Sequence, residues 1–151
     1  MAVNAAVVHA PPDAVFSVLC DPSAYPSFVV GTRTVRRLDP RWPAVGSVLH
    51  HTQGVGPFVV RGQTSVVQAE AGRRLVLRAK LGRIGTHQVC FTLTPVDRGT
   101  RVEVDEHPIE GPSAALWNPV SEAMMSVRNR ALLRRLGSLA ERRLSRRADA
   151  V

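Results

Sequence analysis

The chain has 151 residues, 44% of them apolar, which suffices for one domain with a substantial core and excludes wholesale disorder. Lys and Arg number 20 against 12 acids, for a net charge of +8, and between Arg128 and Arg147 eight arginines meet only Glu141. Cys20 and Cys90 are too few for a disulfide framework or a zinc set, and no apolar run approaches a membrane span.

Taken in order, Val3 to His9 alternates weakly and is expected to form a first strand. Pro11-Pro12-Asp13 ends it and opens a helix whose apolar face carries Val15, Phe16, Val18 and Leu19. Asp21-Pro22 stops that helix, because the residue before proline disfavours helical backbone. Ser23 to Phe28 is a short second helix or turn, limited by Pro26. Strands are expected at 29–38, 47–53, 58–69, 74–81, 87–95 and 101–107, with a bulge at Gly62. The 74–81 strand alternates most clearly: Leu75, Leu77, Ala79 and Leu81 share one face. Val89, Phe91 and Leu93 form an inward set, and Val102, Val104 and Glu106 share another.

Pro119 to Leu144 is one long helix, with Asn118 as N-cap and Pro119 at the first helical position. Its length is roughly 39 Å, enough to cross a small domain. Val120, Met124, Val127, Ala131, Leu132, Leu136, Leu139 and Ala140 recur at helical spacing and call for a cover. Strands joined by tight turns pair antiparallel, and the long helix is the cover available to their apolar face. The expected fold is α+β: a curved seven-stranded antiparallel sheet wrapped around the C-terminal helix, with two short helices after strand one. Residues 1–147 form one domain and 148–151 a disordered tail.

This order resembles the SRPBCC superfamily, which includes START domains, birch-allergen-like proteins and polyketide cyclase or dehydrase-like proteins. Ala10 to Pro22 is similar to the family's opening helix, and Tyr25-Pro26 follows at the usual place. Trp42-Pro43 and Gly46 resemble the W-P-x-x-G turn before strand three. Leu93-Thr94-Pro95 with Gly99 to Val102 is similar to the last hairpin. Glu106, Pro108, Gly111 and Pro112 resemble the segment before the final helix; Arg128-Asn129 and 133–136 match its pattern. The resemblance implies a helix-grip fold with a cavity for a hydrophobic or amphipathic small molecule, such as a lipid, polyketide or isoprenoid. It implies no single activity.

Arg128 falls between Met124 and Leu132 on the helix wheel, and Glu106 shares a face with two valines. A buried charge needs a partner, so the two are expected to meet, either to orient a ligand or as a structural pair. His50 and His51 point to opposite faces; Leu49 sets the inward parity, which selects His51 as a possible acid or base. His87 and His107 are expected to face solvent. The catalytic candidates are therefore His51, Glu106 and Arg128. The candidate ligand contacts are Trp42, Leu49, Phe91, Trp117, Met124, Met125 and Arg128, with Tyr25 assigned to packing.

No metal set assembles from these positions, and no cofactor is expected. G-x-S-x-G, H-E-x-x-H, P-loop and G-x-G-x-x-G patterns are absent, which argues against a hydrolase, kinase or nicotinamide enzyme. Binding of a hydrophobic small molecule is the leading expectation. A polyketide cyclase, aromatase or dehydratase is the second, and a ribosome- or membrane-associated accessory protein the third. The Arg-rich end reads first as a solvated helix face. It lacks the interleaved aromatics of single-strand binders, yet Arg134, Arg135, Arg142 and Arg143 could meet nucleic acid. No secretory pattern opens the sequence, so a cytoplasmic location is expected. A monomer and a homodimer are both open.

Overall fold

The computed structural model describes residues 2–149. Strand β1 (Ala2–Val8) leads to α1 (Pro12–Leu19), a 3-10 turn at Pro22–Ala24 and the short α2 (Tyr25–Phe28). There follow β2 (Thr32–Leu38), β3 (Val48–Val55), β4 (Phe58–Glu70), β5 (Arg74–Leu81), β6 (Gly85–Val96) and β7 (Gly99–Glu110). The chain closes with α3 (Pro112–Ala115) and α4 (Pro119–Asp149). The strands form one seven-stranded antiparallel sheet in the order β1-β7-β6-β5-β4-β3-β2. This is the expected helix-over-sheet architecture.

The core follows the alternation in the strands. Leu75, Leu77, Phe91, Leu93, Val102 and Val104 are buried and pack with Leu132, Leu133, Leu136 and Ala140 of α4. Val15, Val18 and Leu19 of α1 and Phe28 of α2 complete it. Gly137 lets α4 approach β1: a Cβ there would sit 3.4 Å from Val8 Cγ2. The first turn of α4 is capped by Asn118, whose Oδ1 accepts from the Ser121 amide at 3.0 Å. Arg143 reaches Asp21 Oδ2 at 2.7 Å and ties the far end of α4 to the end of α1.

Several expectations are corrected. The expected covered stripe of α4 splits in two. Leu132, Leu136 and Ala140 are buried, whereas Val120, Met124 and Val127 are exposed. Those three recur at steps of four and three on the side opposite Asn129, Leu133 and Leu136, and the sheet can cover only one side. The ladder irregularity in β4 lies between Val66 and Gln68, not at Gly62, which stays paired in register with His51 and Leu81. Part of the segment expected to open β2 is taken up by the bend at 29–31, and the strand begins at Thr32. Ala148 and Asp149, expected in a tail, continue α4, and the rest of that tail lies outside the described residues.

Candidate functional site

The sheet and the inner side of α4 leave between them a cavity of about 490 Å³, within the range of small-molecule sites. Leu77, Ala79, Leu81, Val89, Phe91 and Leu132 contribute to its apolar wall. Tyr25 and Phe28 of α2 also line it, packed edge to face with ring centroids 5.4 Å apart. The Tyr25 hydroxyl donates to the Leu19 carbonyl at 2.7 Å, so its polar end is spent on the fold. Burial, with Cys20 and Asp21 nearby, pushes the Tyr25 phenol upward.

Against this wall stands a polar cluster. Glu106 on β7 is 4% exposed and faces inward with Val102 and Val104. Arg128 on α4 brings Nη1 to 3.2 Å from both Glu106 carboxylate oxygens, while its Nε donates to the Val30 carbonyl at 3.0 Å. Met125, one turn earlier, places its sulfur 3.5 Å from the same Nη1. On the carboxylate's other side, His87 Nδ1 of β6 lies 3.4 Å from Glu106 Oε2, and its Nε2 lies 3.2 Å from Ser113 Oγ. Trp117 meets the His87 ring edge to face. This alignment depends on two glycines. A Cβ on Gly85 would lie 2.3 Å from the Glu110 carbonyl, and one on Gly111 would lie 2.7 Å from Gly85 Cα. Only backbone fits there, and that close approach seats α3 and Ser113 beside His87.

A second polar feature comes from β3 and β4. His51 is 3% exposed and its Nε2 lies 2.9 Å from Thr64 Oγ1. Its Nδ1 is buried without a hydrogen-bond partner. Burial, and then the neighbouring His50, lower its basicity, so the neutral ring is favoured. Gly62 makes room for this ring: a Cβ there would sit 2.9 Å from His51 Cε1. His51, Thr64, His87, Glu106 and Arg128 all line the one cavity. Among the described residues, no three His, Cys, Asp or Glu side chains gather as a metal site would require.

The structure therefore brings His51, Glu106 and Arg128 to the cavity together with Phe91 and Met125. The other four proposed contacts sit elsewhere. Leu49 is fully buried in the core rather than on the cavity wall. Trp42 donates its indole N–H to the Cys20 carbonyl at 3.1 Å and packs against Tyr25. Trp117 touches His87 from outside the lining, and Met124 is on the exposed side of α4. His87, expected at the surface, is buried and lines the cavity. Its parity was readable: 87, 89, 91 and 93 share one face of β6. Ser113 had no comparable signal, since a close glycine contact places it. Cys20 and Cys90 are free thiols, and burial raises Cys20 to about 11, which leaves it inert.

Solved structures share the fold. The protein CV1439 from Chromobacterium violaceum is 20% identical with a TM-score of 0.71, covering 92% of this chain and 95% of that one. The di-domain ARO/CYC StfQ from the steffimycin biosynthetic pathway is 15% identical with a TM-score of 0.73, covering 95% of this chain and 51% of its own. Ara h 8.0201 is 9% identical with a TM-score of 0.72, covering 91% and 95%. Among curated proteins, none matches the sequence. The family model described as polyketide cyclase / dehydrase and lipid transport matches residues 2–141. With that match across nearly the whole chain, the protein belongs to the polyketide cyclase / dehydrase and lipid transport family.

Proposed function

We propose that the protein binds an amphipathic small molecule of the polyketide, lipid or isoprenoid type inside the cavity. The observation that carries this reading is a largely apolar chamber of about 490 Å³ with the Glu106–Arg128 pair in its wall. An apolar body would fill the chamber, and a carbonyl or hydroxyl oxygen would exchange hydrogen bonds with Arg128, Glu106 and His51. The test is thermal denaturation with lauric acid, menadione and emodin as probes. A ligand at a hundred times its dissociation constant stabilises by about 2.7 kcal/mol. A rise of several degrees with one class supports binding, and no rise with any class opposes it.

A second reading, catalysis of cyclisation or dehydration, is favoured by the convergence of His51, His87, Glu106 and Arg128 on one cavity. A neutral His51 that donates Nε2–H to Thr64 leaves an Nδ1 lone pair free to accept a carbon-bound proton beside a ketone. The enolate oxygen formed would be held by the Arg128 guanidinium. The carbanion would then attack a second carbonyl of the same chain, whose oxygen takes up the proton. Deuterium exchange at the central carbon of a long-chain 1,3-diketone tests this step. Exchange accelerated by the protein and lost in His51→Gln supports catalysis; a rate equal to buffer leaves binding alone.

A further inference from the structure

We infer that the mouth of the cavity and the outer side of α4 together form a docking surface for an anionic lipid bilayer. Two cavity-lining side chains mark the mouth because they are also exposed: Phe58 at the β3–β4 turn, 78% exposed, and Ile84 at the β5–β6 turn. On the helical side, Leu116, Val120, Met124 and Val127 are each at least 65% exposed. Met125, the residue after Met124, lines the cavity, so the exposed stripe and the cavity wall are carried by adjacent residues of α4. An uncovered apolar set of this extent on a small protein marks an interaction site.

Charge selects the partner. Arg33, Arg61 and Arg83 are exposed on the strands and turns at the mouth, and Arg130, Arg134, Arg135 and Arg142 are exposed along α4. Among the described acids of α4, Glu122 falls on the helix side of the buried Asn129 and Leu133, and Glu141 accepts from the His9 amide at 2.9 Å. Arg143 is held by Asp21. Glu110, at the end of β7, is an exposed acid beside the rim. Asp149, at the C-terminal end of α4, is a further exposed acid. Apolar side chains flanked by exposed arginines that outnumber the exposed acids beside them suit an interface where acyl chains lie beneath anionic headgroups. The same cations repel a second copy of the stripe, and nucleic acid offers nothing to cover Val120, Met124 and Val127. A ligand soluble in the bilayer would then reach the cavity without crossing water. The surface does not depend on the cavity ligand, so vesicle binding without added ligand can fail while ligand binding succeeds, and the converse.

The experiment is co-sedimentation of the full chain with phosphatidylcholine vesicles, with and without phosphatidylglycerol, beside the triple variant Val120→Ser/Met124→Ser/Val127→Ser. These side chains are exposed, so the variant is expected to keep the wild-type melting temperature. Expected is binding to phosphatidylglycerol vesicles that weakens at least about tenfold in the triple variant and falls with added salt. No binding to either vesicle overturns the proposal. So does undiminished binding by the triple variant, or equal affinity for a single-stranded RNA, since either reduces the surface to general attraction for polyanions. A wild-type dimer by light scattering that becomes monomeric in the triple variant also overturns it, because the stripe then covers a second copy.

Discussion

Replacing Arg128 by methionine leaves Glu106 almost fully buried, with His87 Nδ1 at 3.4 Å beside its carboxylate. Removing one partner of a buried ion pair costs about 3–5 kcal/mol. The Arg128 side chain is 26% exposed, so solvent screens part of the attraction and about 2–3 kcal/mol is the expected loss. For a chain of this length that corresponds to a melting temperature lower by about 4–12 °C. The double variant Glu106→Leu/Arg128→Met removes both charges and leaves the Val30 carbonyl short of a donor, at a cost of about 1 kcal/mol. Urea denaturation followed by circular dichroism measures the full cycle. The double variant is expected to be more stable than Arg128→Met alone, with a coupling energy of about 1–2 kcal/mol. A double variant that loses the sum of the two single losses refutes the coupling. Arg128→Met retaining both full stability and ligand affinity would remove any role for the pair.

Gly85→Ala places a methyl against the Glu110 carbonyl at a residue with φ of 135°, so it is expected to displace α3, weaken the Ser113–His87 contact and cost upward of about 1–3 kcal/mol. Shifted His87 ring resonances in the variant's NMR spectrum check this, and an unchanged spectrum opposes it. His51 has a folded-state pKa below its ordinary value of 6.5, mainly through burial. As pH falls below about 6.5 the unfolded chain binds the proton first, so this part of the stability is complete above that pH and is lost toward the folded-state pKa. His51→Gln should therefore flatten the acid-side fall in melting temperature; an identical profile would contradict the assignment. Asn129 is fully buried with neither amide atom hydrogen-bonded, and Asn129→Leu should raise stability by about 1 kcal/mol in urea denaturation. A loss of stability would show that the amide is satisfied in solution.

The architecture was legible because the strands at 74–81 and 87–95 alternate and the turns between strands carry Gly, Pro or Asp, and a sheet with one apolar face leaves few ways to place a 31-residue helix. Glu106 and Arg128 were legible for a different reason: each is a charge among apolar neighbours, and the two could satisfy each other. What periodicity could not show is which of two apolar stripes on α4 the sheet would cover. Val120, Met124 and Val127 score as well as Leu132, Leu136 and Ala140 on a wheel, and tertiary geometry alone separates them. Trp42 illustrates a related limit. Its size suggested a ligand wall, but the indole N–H found the Cys20 carbonyl, and that bond turned it into a brace. His87 was missed because a single polar residue at the start of a strand was given to solvent against its parity. Ser113 depends on a backbone approach between Gly85 and Gly111, residues far apart in sequence, and no local pattern encodes it.

The most direct measurement is native mass spectrometry of the protein purified from its own host, followed by extraction and identification of any bound small molecule. The comparison is Ala79→Trp, which sets an indole into the cavity wall. The account predicts one amphipathic molecule per wild-type chain and none in the folded Ala79→Trp variant. A wild-type chain that carries nothing, and takes up none of lauric acid, menadione or emodin when they are added, would contradict it.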